Sequence, residues 1–136
     1  MHFAHVEPAR IEREWPIFAD ILAPALRQDP TQTIEGLHKR LAAGAEQLIE
    51  VSGGASGLMV LEVTEELVCW VKYAAGRIDG GPKQRMQFFR DTMEHLASVA
   101  KNAGCTEVRL CGRDWARILP DYRPADGFPN ELRKAL

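Results

Sequence analysis

Apolar residues recur every three or four positions near both ends of the chain, whereas between Glu46 and Ala75 they alternate or run together over short stretches. The first spacing is that of a half-buried helix and the second that of a strand, so helices flanking a sheet are predicted. Residues 2–6 fit a short edge strand. Pro8 and Ala9 then lead into a helix whose apolar stripe is Ile11, Trp15, Phe18, Leu22 and Leu26. Pro16 and Pro24 lie inside that span, which predicts a first turn before Trp15, a main helix after it, and an end or kink near Pro24. Asp29-Pro30-Thr31 reads as a loop, and Thr33 as the N-cap of a short second helix carrying Ile34, Leu37 and Leu41, with Gly44 at its C-terminus.

Three strands are expected next: Glu46 to Val51, Leu58 to Val63 and Leu67 to Ala75. Turns at Gly53-Gly54 and Thr64-Glu65-Glu66 join them into an antiparallel meander. Leu58-Met59-Val60-Leu61 is nearly continuously apolar, as suits a central strand covered on both faces. Met86, Phe89, Met93, Leu96 and Ala100 mark one face of a helix from about Lys83 to Ala103, ended by Gly104. Thr106 to Cys111 alternates as a strand. Strand, helix and strand over this length form a βαβ crossover, so the 106–111 strand should run parallel to the 67–75 strand. Asp114 is placed to cap a short helix through Leu119, and the tail from Tyr122 to Leu136 supplies one more strand despite Pro124 and Pro129. The fold class is α/β (α+β), a mixed, mainly antiparallel sheet flanked by helices.

With 136 residues, 46% hydrophobic and 26% charged, the chain fits a single compact domain over residues 1–136 that needs no staples. A net charge of −2 and a pI near 6.1 provide no basic field, which disfavours nucleic acid as the main partner. Cys69, Cys105 and Cys111 are odd in number and two of them sit in apolar strand patterns, which speaks for a reducing, cytoplasmic setting. No apolar run approaches the roughly 20 residues a membrane-spanning helix needs, and Met1-His2-Phe3-Ala4-His5 lacks the pattern of a signal peptide.

Candidate chemistry concentrates on Arg77-Ile78-Asp79-Gly80-Gly81-Pro82, between a strand and a long helix. Glycines allow a tight turn, and the first amides of a helix have no carbonyl within it, so such a passage can hold a phosphate. An ordinary connection is the alternative. Cys111 ends a strand, where a nucleophilic thiol is the alternative to the plainer reading of a buried structural cysteine. Glu62, Glu65 and Glu66 surround a turn and read as solvated, with a general base as the alternative. The four histidines are scattered without metal-ligand spacing. Arg109, Arg113 and Arg117 read by default as an exposed basic face, with a shared edge that meets phosphate as the alternative, Arg113 and Arg117 being four apart on a predicted helix; Trp115 reads as a packing anchor rather than a stacking platform.

The order of elements, together with Trp15-Pro16, Leu22-Ala23-Pro24-Ala25-Leu26, Gly104-Cys105, Gly112-Arg113, Trp115-Ala116-Arg117 and Tyr122-Arg123-Pro124, resembles the GNAT acyl-CoA-dependent N-acyltransferases. More closely it resembles small GNAT-like proteins encoded by phages and prophages. The resemblance implies acetyl-CoA or another acyl-CoA as cofactor and a small-molecule or protein amine as acceptor. It puts the pyrophosphate on a Gln/Arg-x-x-Gly-x-Gly/Ala loop, whose first, fourth and sixth positions are here Arg77, Gly80 and Pro82, with Gly81 between. Pro82 departs from that pattern, because it has no amide to donate. Backbone groups of Val71, Lys72 and Tyr73, facing Leu110 and Cys111, would pair with the pantetheine arm. The family's acid tyrosine has no counterpart at its usual spacing; Tyr122 matches instead an aromatic that is mostly a core residue in the family, and it and Cys111 are the catalytic candidates the resemblance offers. An active transferase and an inactive binding or structural accessory both follow from these residues. Modification of a nucleic-acid base or a translation component would need a basic surface. The apolar meander also leaves room for homodimers through a sheet edge.

Overall fold

The computed structural model describes residues 1–77, 80–111 and 113–136, the side chains of Arg77, Arg113, Asp114 and Pro129 excepted. Strands β1 (His2–His5), β2 (Gln47–Ser52), β3 (Ser56–Val63), β4 (Val68–Arg77), β5 (Glu107–Cys111), β6 (Arg123–Ala125) and β7 (Phe128–Ala135) follow the order β1-β2-β3-β4-β5-β7-β6 in one sheet. Helices α1 (Pro8–Leu26), α2 (Ile34–Ala42) and α3 (Pro82–Asn102) accompany them. Contacts divide the chain into two compact units, one of His2–Leu61 with Tyr73–Ile78, the other of Met1, Glu62–Lys72 and Asp79–Leu136.

In the first unit, β1 pairs antiparallel with β2 and β2 with β3, in registers running from His2↔Ser52 to His5↔Ile49 and from Gln47↔Leu61 to Ser52↔Ser56. That register puts Leu48, Leu58 and Val60 on one face, where they join Val6, Ile11, Phe18, Leu22, Leu26, Leu37 and Leu41 in a buried cluster. The stripe read from the sequence is thus the buried face of α1, with Trp15 half-buried at its margin. Glu14 departs from helical geometry (φ −111°, ψ 15°), two residues before Pro16. A proline removes one helix amide and its ring crowds the carbonyl four residues earlier, which opens the turn ahead of Pro16 and accounts for the kink. Thr33 caps α2, its hydroxyl accepting from the Gly36 amide at 3.0 Å. The two helices are tied by His38, whose ring stacks on Trp15 at 4.2 Å and meets Glu12 at 2.8 Å. Arg10 links α1 to Glu50 on β2.

The second unit contains the crossover. β4 and β5 run parallel, as the strand–helix–strand pattern requires, and α3 buries Met93, Leu96, Ala97 and Ala100. β5 pairs antiparallel with β7, and β7 with β6. The tail, expected as one strand, is therefore a hairpin of two. Asp126-Gly127 turns the chain, with Gly127 at φ +78°, a conformation glycine takes without strain. The helix expected from Asp114 is a 3₁₀ turn, Arg113–Arg117, where residues three apart share a face instead of residues four apart. The shared face expected of Arg113 and Arg117 falls in part outside the described residues, because the Arg113 side chain is not among them.

Candidate functional site

β4 outlasts its parallel partner. Their ladder runs from Val68↔Glu107 to Val71↔Leu110, and the next β5 residue, Cys111, is paired with Glu131 of β7. β4 continues from Lys72 to Arg77, two residues further than Ala75, where the sequence pattern ended it. Of the glycine passage beyond, Ile78, Asp79 and the side chain of Arg77 lie outside the described residues. Gly80 has φ +139°, a conformation that favours glycine, and a Cβ there would sit 3.1 Å from the Gln84 Cβ and push that side chain aside by a few tenths of an ångström. Gly81 is the N-cap of α3 and offers no side chain to its amides. The Arg85 amide donates to the Gly81 carbonyl at 3.2 Å. The amides of Lys83 and Gln84 precede it and have no carbonyl within the helix to meet, while Pro82 has no amide at all. Among the described residues, two amides and the positive end of the helix dipole are what this turn offers an anion.

Val71 is buried and Lys72 exposed, its Nζ 3.1 Å from Glu62 and 5.4 Å from the Trp70 ring centre. Glu62 is thereby an ion-pair partner, while Glu65 and Glu66 are exposed. Tyr73, counted from the sequence only for its backbone, packs half-buried against the cluster of the first unit. Burial raises its phenol pKa, as do the carboxylates of Asp29 and Glu46, and Arg40 opposes them. Arg40 Nε also donates to the buried Glu46 at 3.0 Å. Nothing local in the sequence announces this grouping, because β4, α2 and the segments just before α2 and β2 supply its members.

Tyr122 is buried in the second unit, and among the described residues nothing bonds its hydroxyl. Its pKa is driven up by burial first and then by Cys69 and Asp121, so it is a neutral phenol at physiological pH. Cys111 is exposed, contrary to the buried structural role expected of it, because it lies on the β5 face opposite Val108 and Leu110. Cys69 is the inert thiol instead, buried and pushed up to about 11 by that burial and by Cys105. Arg109 is not free for phosphate. It bonds Glu107 at 3.1 Å, approaches Glu131 at 3.6 Å and lies over Trp70 at 5.7 Å. Glu107 accepts from Arg133 as well, at 2.7 Å, which relieves the like charges of the directly opposed Arg109 and Arg133.

Met86, expected on the buried face of α3, is exposed. Phe89 stacks on Trp115, their centroids 4.3 Å apart, and Trp115 is still 37% exposed. This pair joins residues of α3 and the 3₁₀ turn and has no sequence signature. Among the described residues no group of His, Cys, Asp and Glu could hold a metal ion, and no helix is long and apolar enough to cross a membrane.

No family model matches the sequence, and neither does any curated protein. Solved structures do match it in fold. An IAA acetyltransferase from Bacillus cereus superposes with a TM-score of 0.64 at 13% identity, covering 99% of both chains. An aminoglycoside 6'-acetyltransferase type Ii gives 0.63 at 10% identity, covering 99% of this chain and 97% of that one. This chain has the GNAT fold. A Bacillus subtilis acetyltransferase in complex with CoA is a further match, with a TM-score of 0.56 at 16% identity over 99% of this chain and 98% of its own.

Proposed function

We propose that the chain is an acyl-CoA-dependent N-acyltransferase, one GNAT-like domain over residues 1–136, acting in the cytoplasm on a small-molecule or protein amine. The observation that carries this reading is the start of α3, where Gly80 has φ +139°, Gly81 is the N-cap and the Lys83 and Gln84 amides have no carbonyl within the helix. Support at the level of the neighbours comes from a CoA complex among them and from an aminoglycoside acetyltransferase, whose acceptor is a small amine. The association with phage or prophage genomes rests on the sequence resemblance alone.

The residues present fit the cofactor in part. Gly80 keeps the turn free of side chain, Lys83 and Gln84 offer amides toward a pyrophosphate, and Arg77 occupies the motif's first position, while Pro82 costs the cradle one donor. In this reading the backbone of Val71, Lys72 and Tyr73 pairs with the pantetheine arm. Bound acyl-CoA supplies the activated thioester, and the chain positions it for direct attack by the amine. Tyr122 and Cys111 are the side chains to test for acid or nucleophilic roles.

Thermal melting with and without acetyl-CoA tests the proposal. Cofactor at about 100 times its dissociation constant adds about 2.7 kcal/mol, which for a chain of this length raises Tm by about 9 °C. Gly80→Val should abolish most of that shift, since valine cannot adopt φ +139° without strain. No shift at millimolar acetyl-CoA would instead favour a GNAT-fold accessory that has lost its cofactor. Thiol release with a panel of amines then reads turnover.

A further inference from the structure

Resting on the cofactor reading above, we propose that the open face of Trp115 is a stacking platform for the adenine of coenzyme A. One face of the indole lies against Phe89, so its remaining exposure belongs to the other face and the edge. Met86, one turn nearer the start of α3, is 38% exposed and extends the same apolar step. Large apolar groups left open beside one another mark a place where something binds.

Topology and charge select the occupant. α3 follows the C-terminal end of β4, and the 3₁₀ turn follows the C-terminal end of the parallel β5. Ligands of sheets with parallel strands bind outside the carboxyl ends of those strands. From Gly81 to Phe89 the helix rises about 12 Å, a span that the diphosphate and sugar of a nucleotide can bridge. The first turn of α3 contains no acidic residue, and Lys83 and Arg85 of α3 and Arg117 of the 3₁₀ turn are exposed on the same two elements. A flat base over the indole, with its ribose phosphate among these cations, satisfies both features. An apolar peptide would use only the first. Packing on Phe89 holds the indole in place before the base arrives, so stacking needs little further ordering.

Calorimetric titration of wild type, Trp115→Ala, Trp115→Leu and Trp115→Phe with coenzyme A and with phosphopantetheine tests this. Stacking of a base on an aromatic side chain is worth enough that Trp115→Ala and Trp115→Leu should each weaken coenzyme A about tenfold. Phosphopantetheine affinity should stay unchanged, and Trp115→Phe should retain most of the affinity for coenzyme A. Leucine keeps the space over Phe89 filled, so a folding failure of the alanine variant leaves the leucine variant to decide. Equal coenzyme A affinity in wild type and Trp115→Leu overturns the platform and leaves the cofactor reading standing. So does an equal loss for both ligands. Failure of wild type to bind either ligand removes the cofactor reading and the platform with it. A wild-type dimer that Trp115→Leu dissociates, with coenzyme A affinity unaltered, assigns the step to a second copy of the chain instead.

Discussion

Replacing Tyr122 by phenylalanine should stabilise this protein. The side chain is 5% exposed, and among the described residues its hydroxyl oxygen finds no donor or acceptor. A buried hydroxyl taken out of water without a new partner costs about 1–3 kcal/mol. Phenylalanine keeps the ring and its packing and removes one oxygen, whose lost dispersion contacts are worth a few tenths of a kcal/mol. The net expectation is a gain of about 1 kcal/mol, or about 3–4 °C in Tm for 136 residues. Differential scanning calorimetry at neutral pH, paired with urea unfolding, measures it. The same variant addresses chemistry, because a phenol buried without a partner and held neutral by its surroundings is a poor relay to a reacting thiolate. Turnover should therefore survive Tyr122→Phe. A loss of about 1 kcal/mol or more would refute the reasoning, since it would mean that the hydroxyl holds a hydrogen bond, most simply to a buried water. Loss of turnover with intact acetyl-CoA binding would refute the chemical half and assign Tyr122 the acid role.

Two further predictions concern stability. Thr33→Ala removes the acceptor for the Gly36 amide at the start of α2 and should cost about 1 kcal/mol in urea unfolding; an unchanged midpoint would mean that the cap is not formed in solution. The Cys69 thiol is raised from its ordinary 9.0 to about 11 in the folded chain, so above pH 9 the unfolded state loses this proton first. Its contribution is whole below pH 9 and disappears as the pH rises through about 11, and stability should fall across that window. Cys69→Ala should flatten the fall, and a slope identical to that of wild type would contradict the assignment.

The hydrophobic periods, the prolines and the glycines carried most of the architecture. Ile11, Phe18, Leu22 and Leu26 specify the buried side of α1 because helical spacing forces them onto one stripe. Pro16 sets the kink, and the crossover rule makes β5 parallel to β4. These are local or nearly local constraints, readable wherever the residues are known. The tail was less legible: Asp126-Gly127 is a turn signal, but a three-residue strand leaves too short a pattern to stand out.

What only the tertiary structure decided is which side chains meet across distance. Phe89 finds Trp115, Arg40 takes Glu46 beside Tyr73, and Glu107 binds both Arg109 and Arg133 because strand pairing and helix packing bring them together. The same holds for exposure. The β5 alternation alone cannot say which of its two faces α3 covers, so Cys111 read as buried until Val108 and Leu110 were seen to occupy the covered side. Periodicity sorts residues into faces, and only packing assigns each face its neighbour.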